Sequence, residues 1–127
     1  MIVPFLFIAP TEKMGRGVFT SEQIKPETII EIAPVIVMDC NDKKLLDQTA
    51  LYNYIFEWGV ERKQCCVALG YASVYNHSKT SNCEYEMDYE EQQIRIKAVR
   101  AIEAGEELFI NYNGDWNAAN AVWFKEH

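Results

Sequence analysis

Short apolar runs separated by polar turns dominate this chain, and most of them show the two-residue alternation that is typical of β-strands. The runs predict strands at 2–8, 28–38, 66–69, 83–89, 93–99 and 107–112. Glu90-Glu91-Gln92 separates two of these runs and predicts a hairpin. Two short helices are predicted, one at 43–50 capped by Asn41-Asp42 and one at 116–125 capped by Asp115. The pattern indicates a mainly β domain with short helices.

Residues 51–60 are dense in aromatic side chains, with Tyr52, Tyr54, Phe56 and Trp58. Aromatic residues bury a large area, so packing in the core is the favoured interpretation. The wall of a narrow ligand channel is the alternative.

Composition and charge narrow the class of protein. With 127 residues, 49% of them hydrophobic and 24% charged, the chain has the make-up of one globular domain. A net charge of -7 argues against a nucleic acid as the direct partner. It suits a basic ligand such as a lysine-rich peptide, although an acidic surface also serves solubility alone. The apolar start of the chain is too short to span a bilayer, so no membrane association is expected.

The four cysteines (Cys40, Cys65, Cys66 and Cys83) contain no C-x-x-C pair, and the two histidines stand far apart. This spacing shows no zinc pattern, and no metal site is predicted. The cysteines are interpreted as reduced thiols of an intracellular protein.

Two polar interruptions carry groups that could bind a ligand. Residues 71–82 form a polar connection between strand-like runs and include Asn76-His77-Ser78. On its own, an Asn-His pair is more typical of a turn in which the side chains form hydrogen bonds with the adjacent backbone. Gly15-Arg16-Gly17 would let a ligand approach the backbone, and an ordinary tight turn is again the simpler interpretation.

Taken together in order, three motifs resemble the SET domain of protein lysine methyltransferases. They are Gly15 to Phe19, Asn76 to Asn82, and Gly105 to Tyr112, the last preceded by Ala98, Arg100 and Ile102. The chain departs from the usual pattern at Lys79, Ser81 and Asn111. It also lacks the cysteine-rich segment that often follows the domain. The resemblance covers essentially the whole chain and is that of a small free-standing SET domain.

The resemblance implies a β-clip-like fold of several small sheets with a C-terminal pseudoknot, in which the strand that ends at Tyr112 threads under the segment containing Asn76. It implies a single domain over 1–127, with a variable helical insert at about 41–64. A C-terminal helix at about 115–127 would close the site.

The implied activity is methyl transfer from S-adenosyl-L-methionine to the side-chain amine of a lysine in a protein. Tyr112 would be the catalytic residue that orients the amine. The residues implied to bind the cofactor are Gly15, Arg16, Gly17, Tyr75, Asn76, His77 and Trp116. Those implied to line the lysine channel are Tyr54, Tyr85, Ile110 and Tyr112, with Tyr75 a further candidate for its wall. For Tyr54, Tyr85 and Trp116, packing in the core is the competing interpretation.

The implied partner is a lysine-bearing protein or basic peptide, such as a histone, a histone-like protein or a ribosomal protein. A homodimer is one way for so small a domain to complete a peptide groove. The expected location is the cytoplasm, or the nucleus if the source is eukaryotic or viral. The alternative function is a catalytically inactive SET-fold module that binds a basic peptide or a partner protein.

Overall fold

The structure is a computed structural model that describes residues 1–112. Within this range the chain forms nine strands, one α-helix and one 3-10 helix. The strands are β1 (Leu6–Pro10), β2 (Arg16–Thr20), β3 (Ile29–Met38), β4 (Ile55–Trp58), β5 (Gln64–Ala68), β6 (Asn76–His77), β7 (Cys83–Asp88), β8 (Gln93–Ala98) and β9 (Glu107–Ile110). Helix α1 is Cys40–Leu46, and the 3-10 helix is Ala50–Tyr54.

The strands form two sheets. One has the order β4-β5-β3-β8-β7, and the other has the order β1-β2-β9-β6. Neighbouring strands are antiparallel except for β6 and β9, which are parallel. The predicted hairpin is confirmed by the pairing of β7 with β8. The predicted mainly β fold with more than one small sheet is therefore confirmed.

The core lies where the inner faces of the strands meet, and β8 shows how the sequence determines it. Ile94, Ile96 and Ala98 are fully buried, whereas the residues between them point outward. This alternation follows from the two-residue period of a strand. Burying each isoleucine side chain contributes about 1.5–3 kcal/mol to the free energy of unfolding.

Two predicted elements start three or four residues away from their position in the structure. The first helix begins at Cys40 rather than residue 43, because the carboxylate of Asp39 caps it by accepting hydrogen bonds from the N–H groups of Asn41 and Asp42, each 3.0 Å long. The first strand is β1 instead of residues 2–8, because Pro4 lies in a turn. Ile2 makes an isolated bridge to Glu31.

The aromatic segment 51–60 forms the end of the 3-10 helix and then β4, so the predicted insert at 41–64 is only partly helical. Phe56 and Trp58 are buried, which confirms the core interpretation for these two residues. Tyr54 is 41% exposed. The predicted C-terminal helix, with its candidate Trp116, lies outside the described residues.

All four cysteines are free thiols, and Cys40 is the exposed one. Burial raises the pKa of the Cys66 and Cys83 thiols to about 12. Among residues 1–112, no helix is long and apolar enough to cross a membrane. The same residues contain no group of three or more His, Cys, Asp or Glu side chains that could hold a metal ion.

Candidate active site

The three motifs meet because β9 lies between two strands that come from distant parts of the chain. On one side β9 pairs with β2, with Val18 opposite Leu108. On the other side it runs parallel to β6, with Asn76 opposite Phe109 and His77 opposite Ile110. This single pairing joins the segment that carries Asn76 to the segment that leads into Tyr112.

Asn82 extends this contact beyond the two residues of β6. Its Nδ2 donates a hydrogen bond to the carbonyl of Glu107 (2.9 Å), and its Oδ1 accepts one from the N–H of Phe109 (2.8 Å). This buried side chain makes the two hydrogen bonds to β9 that the backbone of a neighbouring strand would otherwise make. Segment 76–82 therefore holds β9 at two places, as the expected pseudoknot requires.

Tyr112 is fixed through its hydroxyl, its N–H and its carbonyl. The hydroxyl donates to the carbonyl of Tyr75 (2.7 Å), and the backbone N–H donates to Nδ1 of His77 (3.1 Å). The carbonyl accepts a hydrogen bond from the hydroxyl of Tyr85 (2.9 Å). The hydroxyl proton of Tyr112 is thus directed to a carbonyl, and a hydroxyl that donates in this way can also act as an acceptor.

His77 helps to hold Tyr112 rather than reaching outward. Its ring lies 5.0 Å from the ring of Tyr112, centroid to centroid, and its side chain is buried. Nδ1 is the acceptor in this contact, and the tautomer that fits it carries its proton on Nε2.

Asn76 presents a buried oxygen that the described part of the chain does not satisfy. Its Nδ2 donates to the carbonyl of Arg16 (3.1 Å) and to Oε2 of Glu107 (2.8 Å), which fixes the orientation of the amide. No residue among 1–112 donates a hydrogen bond to its Oδ1. A buried unpaired acceptor costs about 1–3 kcal/mol. This oxygen is therefore suited to a ligand that brings a donor, such as the ammonium group of an amino acid.

Gly17 makes room for this arrangement. A Cβ at position 17 would contact Oε2 of Glu107 and would lie 2.9 Å from Nδ2 of Asn76. Any side chain here would displace one partner of the Asn76–Glu107 hydrogen bond. Gly15 meets a different requirement, because its φ of +68° lies in the region that favours glycine.

A cavity of about 270 Å³ opens beside these glycines. It is lined by Lys13, Met14, Gly15, Arg16, Tyr54 and Val74. Two of these side chains are cationic, which suits a ligand with a carboxylate. Tyr54, which we expected in the lysine channel, thus shares a cavity with the predicted cofactor residues Gly15 and Arg16.

The other predicted channel residues lie around Tyr112. Tyr85 stacks obliquely on Phe56 at 5.4 Å, and burial raises the pKa of its hydroxyl above the usual range. Ile110 is fully buried at the end of β9. The prediction that the Tyr75 side chain lines the channel or the cofactor pocket is corrected. Its ring is fully buried, and its hydroxyl donates a hydrogen bond to Glu31 (2.8 Å), so the side chain faces the core. Its carbonyl is what contacts Tyr112.

Sequence reasoning missed two carboxylates that shape this region, Glu31 and Glu107. Glu107 sits inside a recognised motif but was given no role. Glu31 is fully buried in β3, and the signal that could have revealed it is a single charge inside the apolar run Ile29–Val37.

The sequence matches the SET domain family model over residues 15–113. The chain belongs to the SET-domain family. It is also 37% identical over 122 residues to a Schizosaccharomyces pombe protein named histone-lysine N-methyltransferase, H3 lysine-37 specific. That alignment covers 95% of this chain and 78% of the relative. The predicted family and the enzyme class, a protein-lysine N-methyltransferase, are confirmed.

Solved structures of this family share the fold. A candidate histone methyltransferase of Plasmodium falciparum has a TM-score of 0.64 and 28% identity, over 87% of this chain and 99% of its own. A subunit chain of a humanized mutant of the Chaetomium thermophilum Polycomb Repressive Complex 2 has a TM-score of 0.71 over 91% of this chain. At 20% identity, and with only 15% of that chain covered, the second likeness concerns the fold alone.

Proposed function

We propose that this enzyme transfers a methyl group from S-adenosylmethionine to the side-chain amine of a lysine in a basic protein, with histone tails as the substrate class. The observation that carries the proposal is the parallel pairing of β6 with β9. This pairing joins the segments of Asn76 and Tyr112 within one buried site. The name of the Schizosaccharomyces pombe relative supports the choice of a histone.

The residues present fit the methionine end of the cofactor. Oδ1 of Asn76 is a buried acceptor without a donor among residues 1–112, and an ammonium group would satisfy it. Lys13 and Arg16 line the adjoining cavity and would pair with a carboxylate. When bound, S-adenosylmethionine supplies an electrophilic methyl group on a sulfonium.

The protein must deliver the lysine uncharged and aligned. A lysine in water has a pKa of about 10.4 and is almost wholly protonated at neutral pH. Removal from water disfavours the ammonium form, and Tyr112, Ile110 and His77 are all buried. The Tyr112 oxygen can accept a hydrogen bond from the neutral amine. This bond would direct the lone pair of the amine nitrogen towards the methyl group. Alignment of this kind can supply several kcal/mol towards an in-line displacement.

The test is transfer of labelled methyl from S-adenosylmethionine to core histones and to a mixture of cell proteins. The parent is compared with Tyr112→Phe and with Tyr89→Phe, a matched control whose hydroxyl lies on an exposed residue. We expect label as methyl-lysine with the parent and the control. With Tyr112→Phe we expect a loss of about 100-fold or more, in the range usual for a group that acts in the transition state. Cofactor binding should persist.

Isothermal titration of S-adenosylmethionine separates the ways in which this could fail. Cofactor binding without transfer to any protein would favour the inactive peptide-binding module. If Tyr112→Phe and the parent incorporated equal amounts of labelled methyl, Tyr112 would not have the proposed role in orienting the amine. If the parent does not bind the cofactor, the proposal is wrong.

A further inference from the structure

A buried carboxylate lies behind the site and is not used by the chemistry described above. Glu31 is fully buried in β3, yet both of its oxygens accept hydrogen bonds. Oε1 accepts from the hydroxyl of Tyr75 (2.8 Å), and Oε2 accepts from the backbone N–H of Tyr71 (2.7 Å). The backbone N–H of Ala72 also favours the charged form and lowers the pKa of this carboxyl. Since a buried charge opposes folding unless donors surround it, the arrangement is a built feature of the fold.

The chain is shaped to admit this carboxylate. Gly70 has a φ of +82°, and a Cβ at this position would come within 2.5 Å of Oε2 of Glu31. Directly after it, the chain makes a tight turn closed by a hydrogen bond from the N–H of Val74 to the carbonyl of Tyr71 (2.7 Å). Glu31 therefore contacts both ends of the turn, the N–H at its start and the Tyr75 side chain just after it.

The other end of Tyr75 contacts the catalytic tyrosine. Its carbonyl accepts the hydroxyl proton of Tyr112 at 2.7 Å. A series of hydrogen bonds thus runs from the Glu31 carboxylate through Tyr75 to the Tyr112 hydroxyl. Both tyrosines are buried, so bulk water cannot readily replace either bond.

We propose that Glu31 is a positioning residue for methyl transfer. By holding the Tyr75 side chain and the start of the preceding turn, it sets the Tyr75 carbonyl that orients the Tyr112 hydroxyl. The inference rests on the proposed function, because it assigns Glu31 a role in the reaction that Tyr112 carries out. It predicts that Glu31 and Tyr75 affect the rate only through the hydroxyl of Tyr112.

The first experiment is a double-mutant cycle. Tyr75→Phe and Glu31→Gln are each made in the parent and in Tyr112→Phe, and kcat, KM and the cofactor Kd are measured. Thr20→Val is the control, because it removes another buried hydroxyl whose bonds, to the carbonyl (2.6 Å) and from the N–H (3.2 Å) of Glu22, lie outside this series. We expect Tyr75→Phe to lower kcat about two- to tenfold, the effect of one net hydrogen bond, with little change in KM or Kd.

The results in the Tyr112→Phe background distinguish a positioning role from a general effect on stability. In Tyr112→Phe, the change at Tyr75 or Glu31 should alter the residual rate by less than about twofold, because their effects pass through a group already removed. Thr20→Val should lower the melting temperature while kcat stays at the parental value. Equal rate losses in both backgrounds, or a parental kcat for both Tyr75→Phe and Glu31→Gln, would overturn the inference.

A second measurement needs no turnover. In protein labelled with 3-fluorotyrosine, the Tyr112 resonance is assigned by its loss in Tyr112→Phe. Glu31→Gln should shift this 19F resonance although Glu31 bonds to Tyr75 and not to Tyr112, and Thr20→Val should leave it in place. If the parent transfers no methyl group, the proposed function fails, and the Tyr112 resonance still decides the coupling: an unmoved resonance in Glu31→Gln refutes it.

Discussion

The position of the Asn76 side chain depends on the absence of a side chain at Gly17. Because a Cβ at position 17 would contact Glu107 and crowd Nδ2 of Asn76, Gly17→Ala should displace the amide whose Oδ1 we propose as an acceptor for the cofactor. We expect binding of S-adenosylmethionine to weaken by about 1–3 kcal/mol, the cost of leaving a buried polar group unpaired. Isothermal titration would measure this change directly.

The matched control for Gly17→Ala is Gly105→Ala. Gly105 has a φ of +90°, and no atom of residues 1–112 lies within 4 Å of an added Cβ, so its substitution brings backbone strain without a clash in this part of the chain. It should lower the melting temperature and leave the cofactor Kd unchanged. Equal loss of affinity in the two variants would mean that Gly17 acts through general stability and not through Asn76.

Glu31 should also leave a mark on stability as a function of pH. Burial raises the pKa of this carboxyl above its ordinary value of 4.5, opposed by the donors at Tyr75, Tyr71 and Ala72. The native state then binds the proton more tightly than the unfolded chain. Between 4.5 and the raised value, the contribution of Glu31 to the free energy of unfolding therefore decreases as pH rises.

Urea unfolding of the parent and of Glu31→Gln at a series of pH values would test this. The parent should gain stability relative to the variant as the pH is lowered from 7 towards 4.5. All other titrating groups are common to both proteins, so their effects cancel in the difference. A difference that is constant with pH, or that shrinks on acidification, would contradict the expected sign.

At this scale the sequence indicated residues within motifs but not their partners. Tyr112 and Asn76 stand out because they belong to patterns that can be read along the chain. The bond between Glu31 and Tyr75 joins positions 44 residues apart, and nothing local to either residue predicts it. Tyr75 was accordingly expected at a ligand surface, whereas its ring packs in the core.

Among the elements, β6 has only two residues, although it joins the segment of Asn76 to β9. It contributes two residues to the edge of β9, and Asn82 supplies two further hydrogen bonds. Asn82→Ala would leave the carbonyl of Glu107 and the N–H of Phe109 without this partner. We expect a loss of about 2–6 kcal/mol in the free energy of unfolding, since each of the two buried unpaired groups costs about 1–3 kcal/mol. Chemical denaturation would measure it.

Asn41→Ala is the control for Asn82→Ala, because Asn41 is exposed in the first turn of α1. Its substitution should change the free energy of unfolding by less than about 0.5 kcal/mol. If Asn82→Ala were as mild, the side chain would not be what holds β9. Since β9 leads into Tyr112, we also expect the Asn82 variant to lose methyl transfer in proportion to its misplacement.

Elements were predicted better than their boundaries and pairings. The alternation in β7 and β8 is strong, and the hairpin between them is local, so both could be predicted. The start of α1 was misplaced by three residues because the expected caps, Asn41 and Asp42, closely follow Asp39, which is the residue that caps the helix. The parallel contact of β6 with β9 has no local signal, and only the resemblance to a family suggested it.

For the molecule as a whole, the fold brings a buried transfer site to a chain of net charge -7. Some of the acidic side chains are paired: Arg95 bridges Glu86 (2.8 Å) and Asp88 (3.2 Å) on the face of the β7–β8 hairpin. Surface pairs of this kind, here partly exposed, contribute about 0–1 kcal/mol each and leave the overall field negative. A basic peptide should therefore be attracted over a distance, and salt should weaken that attraction.

We expect kcat/KM for a histone-tail peptide to fall as NaCl is raised from 0.05 to 0.5 M, while kcat at saturating peptide changes little. The reason is that encounter depends on the screened field, whose range is about 10 Å at 0.1 M and about 3 Å at 1 M salt. The transfer step takes place among buried groups, which salt screens far less. A peptide with the same target lysine but with neutral residues in place of its other lysines and arginines is the control. It should show a shallower dependence, and equal slopes for the two peptides would mean that the negative charge of this protein serves solubility and not substrate capture.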